Sequence, residues 1–97
     1  MNAVAVDFGT IHNHHERAVF EAVRKAAPRF PHLGGELLAD VACVALNRLP
    51  SRYIRHEVDL AFYLTDRERS ENERAIEEAV GFAFEFVQAR AAMRARR

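Results

Sequence analysis

The side chains best placed to do chemistry stand close together in the middle of the chain. Asn47, Arg48, Arg52, Tyr53 and Arg55 gather around the proline of the stretch DVACVALNRLPSRY. A guanidinium offers a planar fork of donors to a phosphate or carboxylate, and a phenol ring offers a flat face on which a base can stack. Together they are what a nucleotide requires. Read structurally, the same residues close off a helix, the arginines capping its last carbonyls and Tyr53 packing across the fold with its hydroxyl at the rim. The sequence by itself leaves both readings open.

Other constellations are weaker. His12, Asn13, His14, His15 and Glu16 form a polar cluster in which His12 could share a helix side with His15 or Glu16. Zinc normally takes three or four ligands supported by a second layer of hydrogen bonds, and His32 and His56 stand far off with no pairing rule. Cys43 falls within an apolar helical pattern, where a buried thiol is inert core filler. Gly34-Gly35 before a helix reads as a turn rather than a phosphate loop. No nucleophile stands beside a base, so no catalytic site, metal or cofactor is expected.

These residues need elements to hold them. Met1 to Gly9 lacks helical periodicity, so residues 1–10 read as an irregular lead-in to a single domain over 11–97. From Ile11, His15, Ala18, Val19, Ala22, Val23 and Ala26 recur at spacings of three and four, predicting a first helix that stops before Pro28. Thr10 or Asn13 is its expected cap, and Asn13 with Glu16 has capping-box spacing. PRFPHLGG is a turn. A second helix is expected from about Glu36 to Arg48 or Leu49, its broad apolar face formed by Leu37, Leu38, Val41, Val44, Ala45, Leu46 and Leu49. Pro50 ends it, because the ring disfavours helical geometry in the residue before it.

SRYIRHEVDLAFYL, rich in aromatic and branched residues, reads as extended or as a short strand. Thr65 and Glu68 repeat the capping-box spacing, and the longest helix begins at Asp66. Phe82, Phe84 and Phe86 alternate within it. At about 100° per residue they cannot share one narrow stripe, so more than one side is apolar: the helix is either wedged deep in its own fold or packs on its own fold and also on a second subunit, the latter favoured by the small core.

The totals set the class. The chain has 97 residues, of which 49% are hydrophobic and 29% charged, the composition of one mainly helical globular domain. A chain this short buries only about 60–65% of its unfolded surface, which favours a homodimer. Fourteen basic residues balance fourteen acidic ones, so no overall positive field attracts nucleic acid, although Arg90, Arg94, Arg96 and Arg97 crowd the C-terminal end. No apolar run is long enough to span a membrane, the N-terminus lacks a signal-peptide layout, and a single cysteine fits a reducing compartment. A cytoplasmic protein is expected.

The order D-V-x-x-x-A-L-N-x-L-P-x-R-Y, carried by Asp40, Ala45, Leu46, Asn47, Leu49, Pro50, Arg52 and Tyr53, resembles the central motif of the late competence development protein ComFB family. Asn13 and Glu16 look like that family's N-x-x-E helix, and AIEEAVGFAFEFV is similar in placement to its last helix. The resemblance covers about Ile11 to Gln88. It implies an all-helical homodimer without known catalysis, some of whose relatives look like receptors for cyclic dinucleotides such as cyclic di-GMP. Arg52 and Tyr53, with Asn47, Arg48 and Arg55 nearby, would then hold phosphate and base, and an unidentified protein partner would receive the signal. Some members carry zinc on a cysteine cluster between the first two helices; RFPHLGGELLAD has no cysteine there, so zinc is not carried over. Ser51 stands where a second proline often follows Pro50. The other reading is a ligand-free dimeric adaptor whose contacts include Phe82, Phe84 and Phe86.

Overall fold

The computed structural model describes residues 4–56, 58 and 64–95. Three helices dominate, α1 (Glu16–Ala26), α2 (Gly35–Arg48) and α3 (Asp66–Ala95), with one two-stranded antiparallel ladder of β1 (His12–Asn13) and β2 (Tyr53–Ile54). The mainly helical expectation holds. A 3₁₀ turn at Phe8–Thr10 precedes β1, and another at Ala27–Arg29 follows α1 in the connection to α2.

Helix α1 starts later than its apolar spacing suggests. Ile11 is exposed, and His12 and Asn13 are drawn into extended pairing with Ile54 and Tyr53, so the helix cannot begin before that ladder ends. Neither expected cap forms: Thr10 donates its hydroxyl to the Asp7 carbonyl at 3.0 Å, and His15 occupies the cap position without a side-chain bond. Glu16 in the first turn and Arg24 and Lys25 in the last suit the helix dipole. The helix ends at Ala26, and Pro28 is accommodated in the short turn that follows.

Helix α2 matches its expected span within a residue, and Leu49 leaves it in extended geometry, as a residue before proline should. Val41, Ala42, Ala45 and Leu49 are buried. Cys43 is not: it is exposed, which corrects its expected place in the core. The apolar pattern of α2 is wide enough that one of its flanks reaches the surface.

Helix α3 begins on a capping box. The Glu68 N–H donates to Thr65 Oγ1 at 3.1 Å, and the Thr65 N–H donates to Glu68 Oε2 at 3.4 Å. Its thirty residues make a rod of about 45 Å. Ile76, Ala79, Val80, Ala83, Phe84 and Val87 meet Val19 and Val23 of α1 and the apolar side of α2. Phe84 stacks on Phe30 with ring centroids 4.4 Å apart, filling the space between α3 and the turn after α1. The chain runs antiparallel in α2 and α3, so Arg48 reaches Phe82 while Leu37 and Asp40 lie near Arg90 and Arg94. Of the segment expected to be extended after α2, residues 57 and 59–63 lie outside the described residues, as do Arg96 and Arg97 of the arginine tail.

Candidate functional site

The ladder between β1 and β2 exists because of one buried side chain. Asn13 is 8% exposed, and its Oδ1 accepts the His15 N–H at 3.1 Å and the Arg52 N–H, thirty-nine residues away, at 3.4 Å. The Arg52 carbonyl in turn accepts the His14 N–H at 2.7 Å. Both backbone groups of Arg52 are therefore satisfied by the N-terminal segment. The two motifs noted in the sequence, around Asn13 and around Pro50, form one clasp.

His15 closes the clasp from beneath. It is 7% exposed and hydrogen-bonded to the Pro50 carbonyl. Burial lowers its pKa below the ordinary histidine value, the neighbouring His14 lowers it further and Arg52 adds to the fall, against an opposing contribution from the Pro50 bond. The rings of His14 and His15 lie 5.4 Å apart. His12 bonds through Nδ1 to the Thr10 carbonyl at 3.2 Å. Among the described residues, no three His, Cys, Asp or Glu side chains converge as metal ligands would.

What the clasp holds outward is the arginine-tyrosine pair. Arg52 and Arg55 are exposed, and Tyr53 is 68% exposed rather than packed across the fold. The Tyr53 ring thus stands in water on a backbone segment tied to β1.

The other candidates divide. The Arg48 guanidinium lies 3.8 Å above the Phe82 ring, and Asn47 Nδ2 donates weakly to Cys43 Sγ at 3.7 Å, so this pair faces along α2 toward α3. Asp40 borders an open groove of about 260 Å³ with Leu37, Cys43, Phe86, Arg90 and Arg94. Glu16 borders a shallow hollow with His12, Arg17, Phe20 and Arg24 instead of capping α1. Pro50 contributes its carbonyl to His15.

The three phenylalanines separate as helical geometry demands. Phe84 is 1% exposed inside its own core and has no ring face left for a partner. Phe82 and Phe86, 38% and 41% exposed, stack on each other at 5.9 Å, and Arg90 sits 5.8 Å above Phe86. An arginine-phenylalanine-phenylalanine-arginine row thus crosses from α2 to α3. Sequence reasoning missed this row because its members come from two helices, and it missed the bond from His15 to Pro50 because the two residues stand far apart in the chain.

Comparison with known proteins agrees with the motif reading. The family model described as Late competence development protein ComFB matches residues 12–91. A search of curated proteins gave no match.

Proposed function

The chain belongs to the ComFB family, and from that premise we propose that it is a non-enzymatic receptor for a cyclic dinucleotide, cyclic di-GMP or cyclic di-AMP, acting in the cytoplasm in competence or a related regulatory process. The family is not a known enzyme family. Among the described residues, no helix is long and apolar enough to cross a membrane. The observation that carries the reading is the contrast at Arg52 and Tyr53, whose backbone is tied to Asn13 and His14 while both side chains stand in water. Such a pair costs little further ordering when it grips a ligand. Arg52 and Arg55 take the phosphates, and Tyr53 stacks on a base. Arg48, four residues before Arg52, is held over Phe82 and joins the site only by leaving that ring.

A melting-temperature series tests it. The parent protein is expected to be stabilised by one cyclic dinucleotide and not by GTP or ATP, since a ligand that binds only the folded state raises the midpoint by mass action. Arg52→Ala should abolish that rise while leaving the unliganded midpoint within about 0.5 kcal/mol of stability, as expected of a surface position. The exposed Phe82 and Phe86 favour a second reading, the ligand-free adaptor. Under it no nucleotide moves the midpoint, and substitutions at the two phenylalanines alter association with a protein partner.

A further inference from the structure

Helices α1 and α3 leave a trough between them that their own fold does not fill. Two hollows, of about 720 and 580 Å³, share Ala22, Lys25 and Glu77 and so run as one. They follow α3 from Glu73 to Glu85, about 18 Å of helix. The floor is low and apolar: Ala18, Ala22 and Ala26 recur every four residues on α1, facing Ile76, Val80 and Gly81 of α3. Gly81 lies inside a helix, where glycine is less stable than alanine. Among the described residues no glycine has a positive φ, and a Cβ placed on Gly81 would meet nothing within 4 Å. The fold itself gives no reason for glycine there, whereas a body approaching closely from outside would.

The two rims of the trough carry opposite charge. Arg24 and Lys25 of α1, with Arg29 just after it, outweigh Glu21, while Glu73, Glu77 and Glu85 line the α3 side with no cation among them. These side chains are exposed, and among the described residues no ion pair joins one rim to the other. A complementary guest needs carboxylates along one edge and cations along the other. It must also bring its own backbone hydrogen bonds. Both walls are helices whose N–H and C=O groups are used internally, so an extended segment finds no strand edge to pair with. An amphipathic helix meets both demands.

We infer that the trough receives an amphipathic helix of a partner protein, about twelve residues long. Small or apolar side chains form its seated stripe, acidic residues the edge along α1, and basic residues the edge along α3. The inference is independent of the nucleotide reading, and no nucleotide enters its test.

Fluorescence anisotropy of the full chain with three labelled peptides tests it. Each is stapled, because an isolated helix of this length is marginal in water, and each has the same alanine-leucine stripe. One carries glutamate on one edge and lysine on the other, one glutamate on both, and one lysine on both. The mixed peptide should bind saturably and at least about tenfold more tightly than either of the others, each of which meets a rim of its own charge. Gly81→Leu fills the floor from a position with open space around it, so it should keep the helical circular-dichroism spectrum and abolish binding. The paired exchange Arg24→Glu and Lys25→Glu, at exposed positions, should transfer the preference to the all-lysine peptide. No saturable binding of any peptide at high micromolar concentration overturns the inference, as does equal binding of all three. Undiminished binding by Gly81→Leu, or an unchanged preference in the paired variant, places the peptide elsewhere and also overturns it. A lower sedimentation mass for unliganded Gly81→Leu than for the parent would mean that a second copy fills the trough, and would overturn the heterologous partner.

Discussion

Replacing Asn13 with alanine removes the atom on which the clasp depends. The substitution deletes an acceptor serving two backbone N–H groups, at 3.1 Å from His15 and 3.4 Å from Arg52. The second bond is long and weak, so the two should not be counted as equals. A net hydrogen bond contributes about 0.5–1.5 kcal/mol, and a buried donor left unpaired costs about 1–3 kcal/mol. Because the Arg52 segment is partly exposed, water will recover some of this, and the expected loss is about 2 kcal/mol. The effect should be concentrated where the bonds are. Hydrogen exchange resolved by residue should show the Arg52 and His15 amides losing most of their protection, while amides in the middle of α2 and α3 change only with the global stability. Asn13→Asp retains the acceptor oxygen and should recover a good part of the protection. If the Arg52 and His15 amides exchange in Asn13→Ala as in the parent, the clasp does not hold the segment and the argument from it fails.

Further outcomes follow from the same structure. Since burial lowers the pKa of His15, the native state binds fewer protons than the unfolded one; stability is full above the unfolded value of about 6.5 and falls with acidification until pH drops below the folded value. Denaturation midpoints measured from pH 7.5 to 5 should therefore decline, and His15→Gln should flatten the decline. Phe84→Ala should cost about 3–5 kcal/mol in urea denaturation, far more than Phe82→Ala, because only the first opens a core cavity. Thr65→Ala removes the capping hydroxyl of α3 and should cost about 1 kcal/mol, measured the same way. Cys43 should react with a thiol reagent in the native protein at a rate near that of the unfolded chain, since it is exposed.

What could be read from the sequence was what one element carries alone. Helix α2 and the capping box at Thr65 depend on residues within a few positions of each other, and periodicity and cap chemistry located them closely. The start of α1 was misjudged because the fate of His12 and Asn13 is decided by Tyr53 and Ile54, and no local pattern reports a pairing across forty residues. Asn13 looked like a cap for the same reason; its oxygen does accept a nearby N–H, but its second partner comes from beyond α2. Cys43 was assigned to the core because an apolar stretch does not say which of its flanks another helix covers. Arg52 and Tyr53 adjoin the short ladder with β1, whereas Arg48 lies over Phe82, a contact fixed by how α2 lies against α3.

The most direct test of the proposed receptor is isothermal calorimetry of the folded protein with cyclic di-GMP and cyclic di-AMP, run beside Arg52→Ala and Tyr53→Ala. The account predicts saturable binding of one cyclic dinucleotide by the parent, weakened by about tenfold or more in each variant, as expected for loss of a charge-assisted bond or a stacked base. Absence of heat from either nucleotide with the parent, confirmed at a second temperature, would contradict it, and so would undiminished binding by both variants.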